Sequence, residues 1–193
     1  MTVKLTRTAA AVASALVMLS PAGLAATGGG AAWAQAVVRP ADISPCIWNA
    51  VSVASRKQFL AAPDLSSAID GLRVMVEAEG EEAFMAILSR CGVTDETSGD
   101  AGTLFGGYTG RLWAEGKLSG RWSAATLDKA YGRLSAAELA ALNADDDDAA
   151  VPAMERFLAS LDAEQADEET AILLLAYVFA RAQYDKDLAA FGR

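Results

Sequence analysis

A run of apolar residues near the C-terminus constrains the fold most strongly. Residues 170–180 contain almost only apolar side chains: Thr-Ala-Ile-Leu-Leu-Leu-Ala-Tyr-Val-Phe-Ala. A helix of this length rises about 16 Å, roughly half of a bilayer core, so the run is too short to span a membrane. Its apolar positions surround the helix instead of forming one stripe. Such a helix is typical of the centre of a globular protein, and its burial would contribute on the order of 10–20 kcal/mol.

The rest of the chain beyond residue 36 has the spacing of amphipathic helices. Leu65, Ala68, Leu72 and Met75, for example, recur at intervals of three and four residues. No alternating pattern of useful length predicts a strand. We therefore predict an all-α fold, a compact bundle of about six to seven short helices around the central apolar C-terminal helix.

The first of these helices is predicted to begin at Ser44, where a capping hydroxyl is followed by Pro45 in the first turn. It should continue to about Ala61, before Pro63-Asp64 ends it and opens the next helix. Ser135, with Glu138 three residues later, predicts a capping box at another helix start.

Three glycines occur at four-residue intervals at the start of, and within, a predicted helix that extends to about Gly116. They are Gly102, Gly106 and Gly110, and Ala114 continues the row. Each glycine inside a helix costs about 1 kcal/mol relative to alanine, so the row needs a reason. We interpret it as the close approach of a neighbouring helix. The alternatives are a flexible or ligand-facing segment, and the absence of a helix here.

The N-terminus, residues 1–36, has the composition of a secretion signal peptide. Lys4 and Arg7 precede an apolar stretch over residues 9–19, and small residues follow. Cleavage is possible after Ala25 or Ala36, and we favour Ala36 because charged residues begin shortly beyond it. The alternative is an uncleaved anchor helix. The sequence thus predicts export, to a bacterial periplasm or to the medium.

Cleavage after Ala36 leaves residues 37–193, which we predict to form a single helical domain. The whole chain has a formal net charge of −9, and the signal segment carries two basic and no acidic residues. The remaining 14 basic and 25 acidic residues give a net charge of −11. Phosphate backbones and anionic membrane surfaces attract basic proteins. We therefore predict no nucleic-acid partner and no stable membrane insertion after processing.

Two cysteines, Cys46 and Cys91, are the only ones in the chain. In an exported protein an isolated pair predicts one disulfide. Closing this loop would contribute about 3–4.5 kcal/mol in the chain-entropy model. The alternatives are two free thiols or a metal pair, but the spacing is not C-x-x-C and the chain has no histidine to complete a zinc site.

The absence of histidine also removes the commonest general base. The chain has no Ser-x-x-Lys, Gly-x-Ser-x-Gly or Gly-x-Gly-x-x-Gly motif. A carboxylate enzyme acting on an envelope polysaccharide needs two acidic residues. Glu115 is a candidate for one of them, and the sequence identifies no second one near it. We predict no catalytic residue, no metal ligand and no cofactor. The leading hypothesis is a non-enzymatic binding or accessory role in the cell envelope, with an unknown protein or glycan partner.

One basic and aromatic stretch is a candidate ligand surface. Its residues are Arg111, Trp113, Arg121, Trp122 and Tyr131. Basic and aromatic side chains together bind anionic glycans or stack on bases. The alternative is that the aromatic rings fill a core and the charges form its rim.

The strongest local charge feature is a run of four aspartates, Asp145, Asp146, Asp147 and Asp148. Calcium prefers several oxygen ligands from a curled loop, so the run is a candidate for weak divalent-cation binding. The EF-hand register fails, because Ala150 replaces the required glycine and Arg156 the required glutamate. The alternatives are a solvated loop and a docking site for a basic partner.

Overall fold

The computed structural model describes residues 38–144 and 147–191, with the side chain of Asp147 left out. The predicted signal peptide therefore lies outside the described residues. The described part contains nine helices and no strand. The bounds of the helices are Pro40–Ala50 (α1), Val53–Ala61 (α2), Leu65–Glu79 (α3), Glu81–Arg90 (α4), Ser98–Leu118 (α5), Ala124–Tyr131 (α6), Ala136–Leu142 (α7), Asp147–Ala159 (α8) and Glu168–Ala190 (α9). The all-α prediction is confirmed, with more helices than the six to seven expected.

Part of the difference arises because the first predicted helix is two helices. α1 begins at Pro40 rather than Ser44, and the hydroxyl of Ser44 is buried without a hydrogen-bond partner among the described residues. The chain then becomes extended at Val51, and Ser52 caps α2 by accepting a hydrogen bond from the Ser55 amide at 3.2 Å. The Glu79 carboxylate accepts a hydrogen bond from the Ser52 amide at 3.0 Å. Glu79 is the last residue of α3, 27 residues beyond Ser52. The sequence around Ser52 therefore gave no sign of the break between α1 and α2.

Side-chain caps open several of the other helices. Asp64 accepts a hydrogen bond from the Ser67 amide at 2.8 Å at the start of α3. The capping box of Ser135 and Glu138 is confirmed at the start of α7. These local signals placed the helix starts correctly where the capping residue is exposed and followed by helix-forming residues.

α5 and α9 form the most extensive helix contact in the described part of the chain. A methyl group on Gly107 would lie 2.9 Å from the backbone nitrogen of Tyr184, and one on Gly110 would lie 3.3 Å from Cβ of Ala180. The predicted close approach of a neighbouring helix is thus confirmed at Gly110. It is tighter at Gly107, which lies outside the four-residue row.

The cysteine pair forms the predicted disulfide, with an S–S distance of 2.04 Å between Cys46 and Cys91. Cys46 lies in the middle of α1 rather than in a first turn, and Cys91 directly follows α4. The bond thus joins the first helix to the fourth.

α4 ends with a glycine-based cap just beyond Cys91. The Val93 amide donates a hydrogen bond to the Leu88 carbonyl at 3.0 Å, and Gly92, which precedes Val93, has a φ of 80°. This arrangement is a common end to a helix.

α9 contains the apolar run, and one side of the run is buried. Leu174, Tyr177 and Val178 are fully buried, but Ile172 is 50% exposed, and Leu175 and Phe179 are partly exposed. The expectation of burial on all sides is therefore wrong. Among the helices of residues 38–144 and 147–191, none combines the length and apolarity needed to cross a bilayer.

Candidate functional site

A cleft of about 650 Å³ lies where the start of α3, the C-terminal half of α5 and the start of α9 meet. Its apolar lining consists of Pro63, Leu65, Trp113, Ile172 and Leu173. Pockets that bind small ligands commonly measure about 300–1,000 Å³. The cleft is therefore large enough to accept a small molecule or a few side chains of another protein.

Trp113 forms the floor of this cleft. Its side chain is only 1% exposed, and its indole Nε1–H donates a hydrogen bond to the Ala62 carbonyl oxygen at 3.0 Å. Ala62 directly follows α2, so the bond links α5 to the connection between α2 and α3. A buried indole N–H needs such a partner. The floor is thus part of the hydrogen-bonded core.

The rim of the cleft carries carboxylates from two elements. They are Asp64, Asp167, Glu168 and Glu169. Asp64 caps α3, and hydrogen bonds from Ser67 hold the pKa of this carboxyl below its usual range, with Lys117 contributing further. The Asp64 side of the rim is therefore ionised at neutral pH and lies near one compensating cation.

Asp167 caps α9 and is held by two neighbours. It accepts a hydrogen bond from the Thr170 amide at 2.8 Å, and Arg121 Nη2 donates to it at 3.0 Å. The hydrogen bonds from Thr170, followed by that from Arg121, lower the pKa of Asp167 to about 2. Arg121 also donates a hydrogen bond to the buried Thr170 hydroxyl. These bonds hold the first turn of α9 against the connection between α5 and α6.

Glu168 and Glu169 follow Asp167 in the first turn of α9. Both side chains are exposed, and neither forms an ion pair with a described residue. Their charges are therefore the uncompensated part of the rim.

The predicted ligand surface is not one surface in the structure. Trp113 and Tyr131 are buried and Trp122 is half-buried against the core, so the aromatic rings mainly fill the interior. Arg111 pairs with Glu115 along α5 at 2.7 Å. Of the five residues, only Trp113 lines the cleft, and Arg121 borders it through Asp167.

Tyr131 belongs to a polar network between α6 and α9. The Arg181 guanidinium lies 5.5 Å from the centre of the Tyr131 ring and donates a hydrogen bond to Asp128 at 3.0 Å. The Tyr177 hydroxyl also donates to Asp128, at 2.9 Å. Burial, together with this bond, raises the pKa of Tyr177 above its usual range. The network satisfies polar groups where α6 packs on α9, which gives it a structural role.

Glu115, the candidate acid for a carboxylate enzyme, has a side chain that is only 13% exposed and forms an ion pair with Arg111 on the preceding turn. Within the part of the chain that the structure describes, no group of three or more histidine, cysteine, aspartate or glutamate side chains is arranged to hold a metal ion. The enzyme hypothesis stays a prediction.

The aspartate run is only partly described. Asp145 and Asp146 lie outside the described residues, as does the side chain of Asp147. Asp148 is exposed in the first turn of α8. The hypothesis of weak cation binding at these residues therefore stays a prediction.

Sequence reasoning missed most of the cleft. Pro63-Asp64 and Asp167-Glu168-Glu169 were visible in the sequence, but only as signals for helix starts. Their proximity depends on how α3 and α9 pack around α5, which no local pattern encodes. The available hint was that an apolar residue, Leu65 or Ile172, follows each acidic helix start closely.

Comparison of the chain with known protein families, with curated proteins and with solved structures gave no significant match in any of the three. The geometry of the cleft and the charges around it are therefore the observations that bear on function.

Proposed function

We propose that the protein is an exported, non-enzymatic binding or accessory module of the bacterial cell envelope, and that the cleft beside the start of α9 is its binding site. The observation that supports this most is the combination of an apolar floor with an ionised rim. Ile172 is half-exposed in this cleft, whereas Leu174, Tyr177 and Val178 of the same run are fully buried. Exposed apolar surface of this kind, surrounded by polar residues, commonly marks an interaction site.

The surroundings of Glu115 favour binding over catalysis. A glycosidase acid has to reach the bond between two sugar rings, which requires an open carboxyl group. Glu115 is largely buried and already engaged by Arg111. The cleft carboxylates line an apolar floor, and the chain has no histidine to pair with them as a base.

Export is supported by the disulfide and by the composition of the N-terminus. Disulfides persist in oxidising compartments and are rare in the cytosol. Expression of the whole chain in a bacterium tests this directly by intact mass measurement of the mature protein. We expect a mature chain that begins at Val37, or at Ala26 for the alternative cleavage, with a mass two hydrogens below that of the dithiol form. An intact chain from Met1 with free thiols in the cytosol would contradict export.

Binding at the cleft is tested by methyl and amide NMR of residues 37–193 with small apolar fragments that are cationic, neutral or anionic. We expect shifts concentrated at Leu65, Ile172 and Leu173, and their loss in Ile172→Glu. Val53→Glu is the matched control, because Val53 is 57% exposed on another helix. Shifts scattered over the surface, or none at high fragment concentration, would argue against this site. Hydrolysis of an envelope polysaccharide that Glu115→Gln abolishes would favour the enzyme instead.

A further inference from the structure

We infer that the occupant of the cleft is a segment of a partner protein in which a lysine or arginine lies next to an aliphatic or aromatic side chain. This inference rests on the proposed function and specifies the chemistry of the ligand.

The charge at the α9 end of the cleft is negative despite the helix dipole. The start of a helix carries about half a positive charge from its backbone. The carboxylates of Asp167, Glu168 and Glu169 add three negative charges, and the guanidinium of Arg121 adds one positive charge. The balance is about one and a half negative charges. The site therefore favours a cationic group and disfavours phosphate or carboxylate ligands, even though two helices begin here.

The apolar lining requires more than a cation. Ile172 and Leu173 on α9 line the cleft together with Pro63, Leu65 and Trp113. A simple inorganic cation would leave this surface exposed to water. A ligand that covers it with an apolar group gains from burial, at about 25 cal/mol per Å².

The two features lie side by side on the same helix turn. Glu168 and Glu169 precede Ile172 by four and three residues, so these side chains are neighbours on the surface of α9. A further carboxylate, that of Asp64 before α3, also lines the cleft. A ligand therefore has to present positive and apolar groups within a few ångströms of each other. Adjacent side chains of a peptide do this, and the acidic balance of the whole protein adds long-range attraction for a basic partner.

The test uses three synthetic peptides of equal length, composed of leucine with lysine, leucine with glutamine, and leucine with glutamate. Binding to residues 37–193 is measured by fluorescence anisotropy at low and high salt. We expect the lysine peptide to bind about tenfold more tightly than the glutamine peptide at low salt, with the advantage reduced at high salt. The glutamate peptide should not bind.

The decisive variant is the double substitution Glu168→Gln and Glu169→Gln, which should weaken the lysine peptide by about tenfold. Its matched control is Glu81→Gln with Glu82→Gln, because this pair occupies the same first-turn positions in α4 and changes the net charge equally. The control should leave affinity unchanged. Circular dichroism verifies that both variants remain folded. Equal weakening by both pairs would show attraction to the overall charge and would overturn the inference.

Other outcomes separate this inference from the proposed function. If neutral apolar fragments occupy the cleft but the lysine and glutamine peptides bind equally, the cationic partner is wrong and the binding site stands. If hexylamine binds as tightly as the lysine peptide, the site serves small amines and the assignment to a protein segment is wrong. If neither fragments nor peptides shift Leu65, Ile172 and Leu173, both proposals fail.

Discussion

Two faces of the apolar run in α9 have similar composition and different surroundings. Leu174 and Tyr177 are completely buried, whereas Ile172, only two residues before Leu174, is half-exposed. α9 packs against α5, whose Gly107 and Gly110 allow the backbones to approach closely. Ile172 lies about 200° around the helix from Leu174 and lines the cleft instead. The difference shows that hydrophobicity describes what a side chain would gain from burial, while the neighbouring surface decides whether burial occurs.

The largest expected effect contrasts the two faces of α9 directly. Leu174→Ala should lower the free energy of unfolding by about 3 kcal/mol, since it removes a fully buried side chain and leaves a cavity. Ile172→Ala should lower it by less than about 1 kcal/mol, because half of that side chain already contacts water. Urea denaturation measures both. Equal losses would show that the cleft face is packed as firmly as the rest of α9.

The next effect tests the close approach of α5 and α9. Gly107→Ala should destabilise the protein by about 2 kcal/mol, because the added methyl group meets the Tyr184 backbone, which cannot move independently of its helix. Gly116→Ala, in the same helix, meets nothing within 4 Å. It should stabilise the protein by about 0.5–1 kcal/mol through helix propensity. The midpoints of thermal unfolding should therefore shift in opposite directions; a shift in the same direction would contradict the close packing.

A smaller effect concerns the polar side of the packed region. Tyr177→Phe should destabilise by about 1.5 kcal/mol, because it removes the hydrogen bond to the charged Asp128 and leaves Arg181 as the partner. Tyr108→Phe serves as the control, since its hydroxyl makes no hydrogen bond to a described residue. Chemical denaturation of both variants is the measurement. An equal loss in the free energy of unfolding for Tyr108→Phe would show that the effect does not come from the hydrogen bond to Asp128.

The smallest effect is the pH dependence at the cleft end. The folded pKa of Asp167, about 2, lies below its ordinary value of 3.8, so its stabilising contribution is present above about pH 4 and is lost as pH falls towards 2. Asp167→Asn keeps a capping side chain and removes the titrating charge. Its melting temperature should decrease less over this pH range than that of the wild type. Identical pH profiles would show that the bonds from Thr170 and Arg121 do not depend on the charge.

Most of the helix starts were predictable from sequence, because capping acts within four residues. Asp64, Ser135 and Asp167 each have a side-chain acceptor before a helix-forming stretch, and each caps a helix. Ser44 shows the limit of the rule. Its hydroxyl is buried inside α1, and a hydroxyl followed by proline looks the same in sequence whether it begins a helix or lies within one.

The candidate site was much less predictable than the helices. Trp113 and Tyr131 were grouped with basic residues because they are close in sequence, but helical geometry directs both into the interior. The carboxylates that do share a surface, Asp64 and Glu168, are far apart in sequence. The sequence around either carboxylate contains no signal that the other lies nearby. Their proximity arises only when α3 and α9 pack in the folded protein.

The sequence by itself predicted that residues 37–193 are helical, that the two cysteines form a disulfide, and that the apolar run near the C-terminus forms a helix of the core. These properties follow from periodicity, from residue counts and from side-chain transfer energies, all of which are local or additive. The tertiary structure alone decided which part of that helix is covered and which carboxylates face the uncovered part. The reason is physical: a pocket is space left between surfaces, and its position depends on contacts such as that of Gly107 with Tyr184, which join residues distant in the chain.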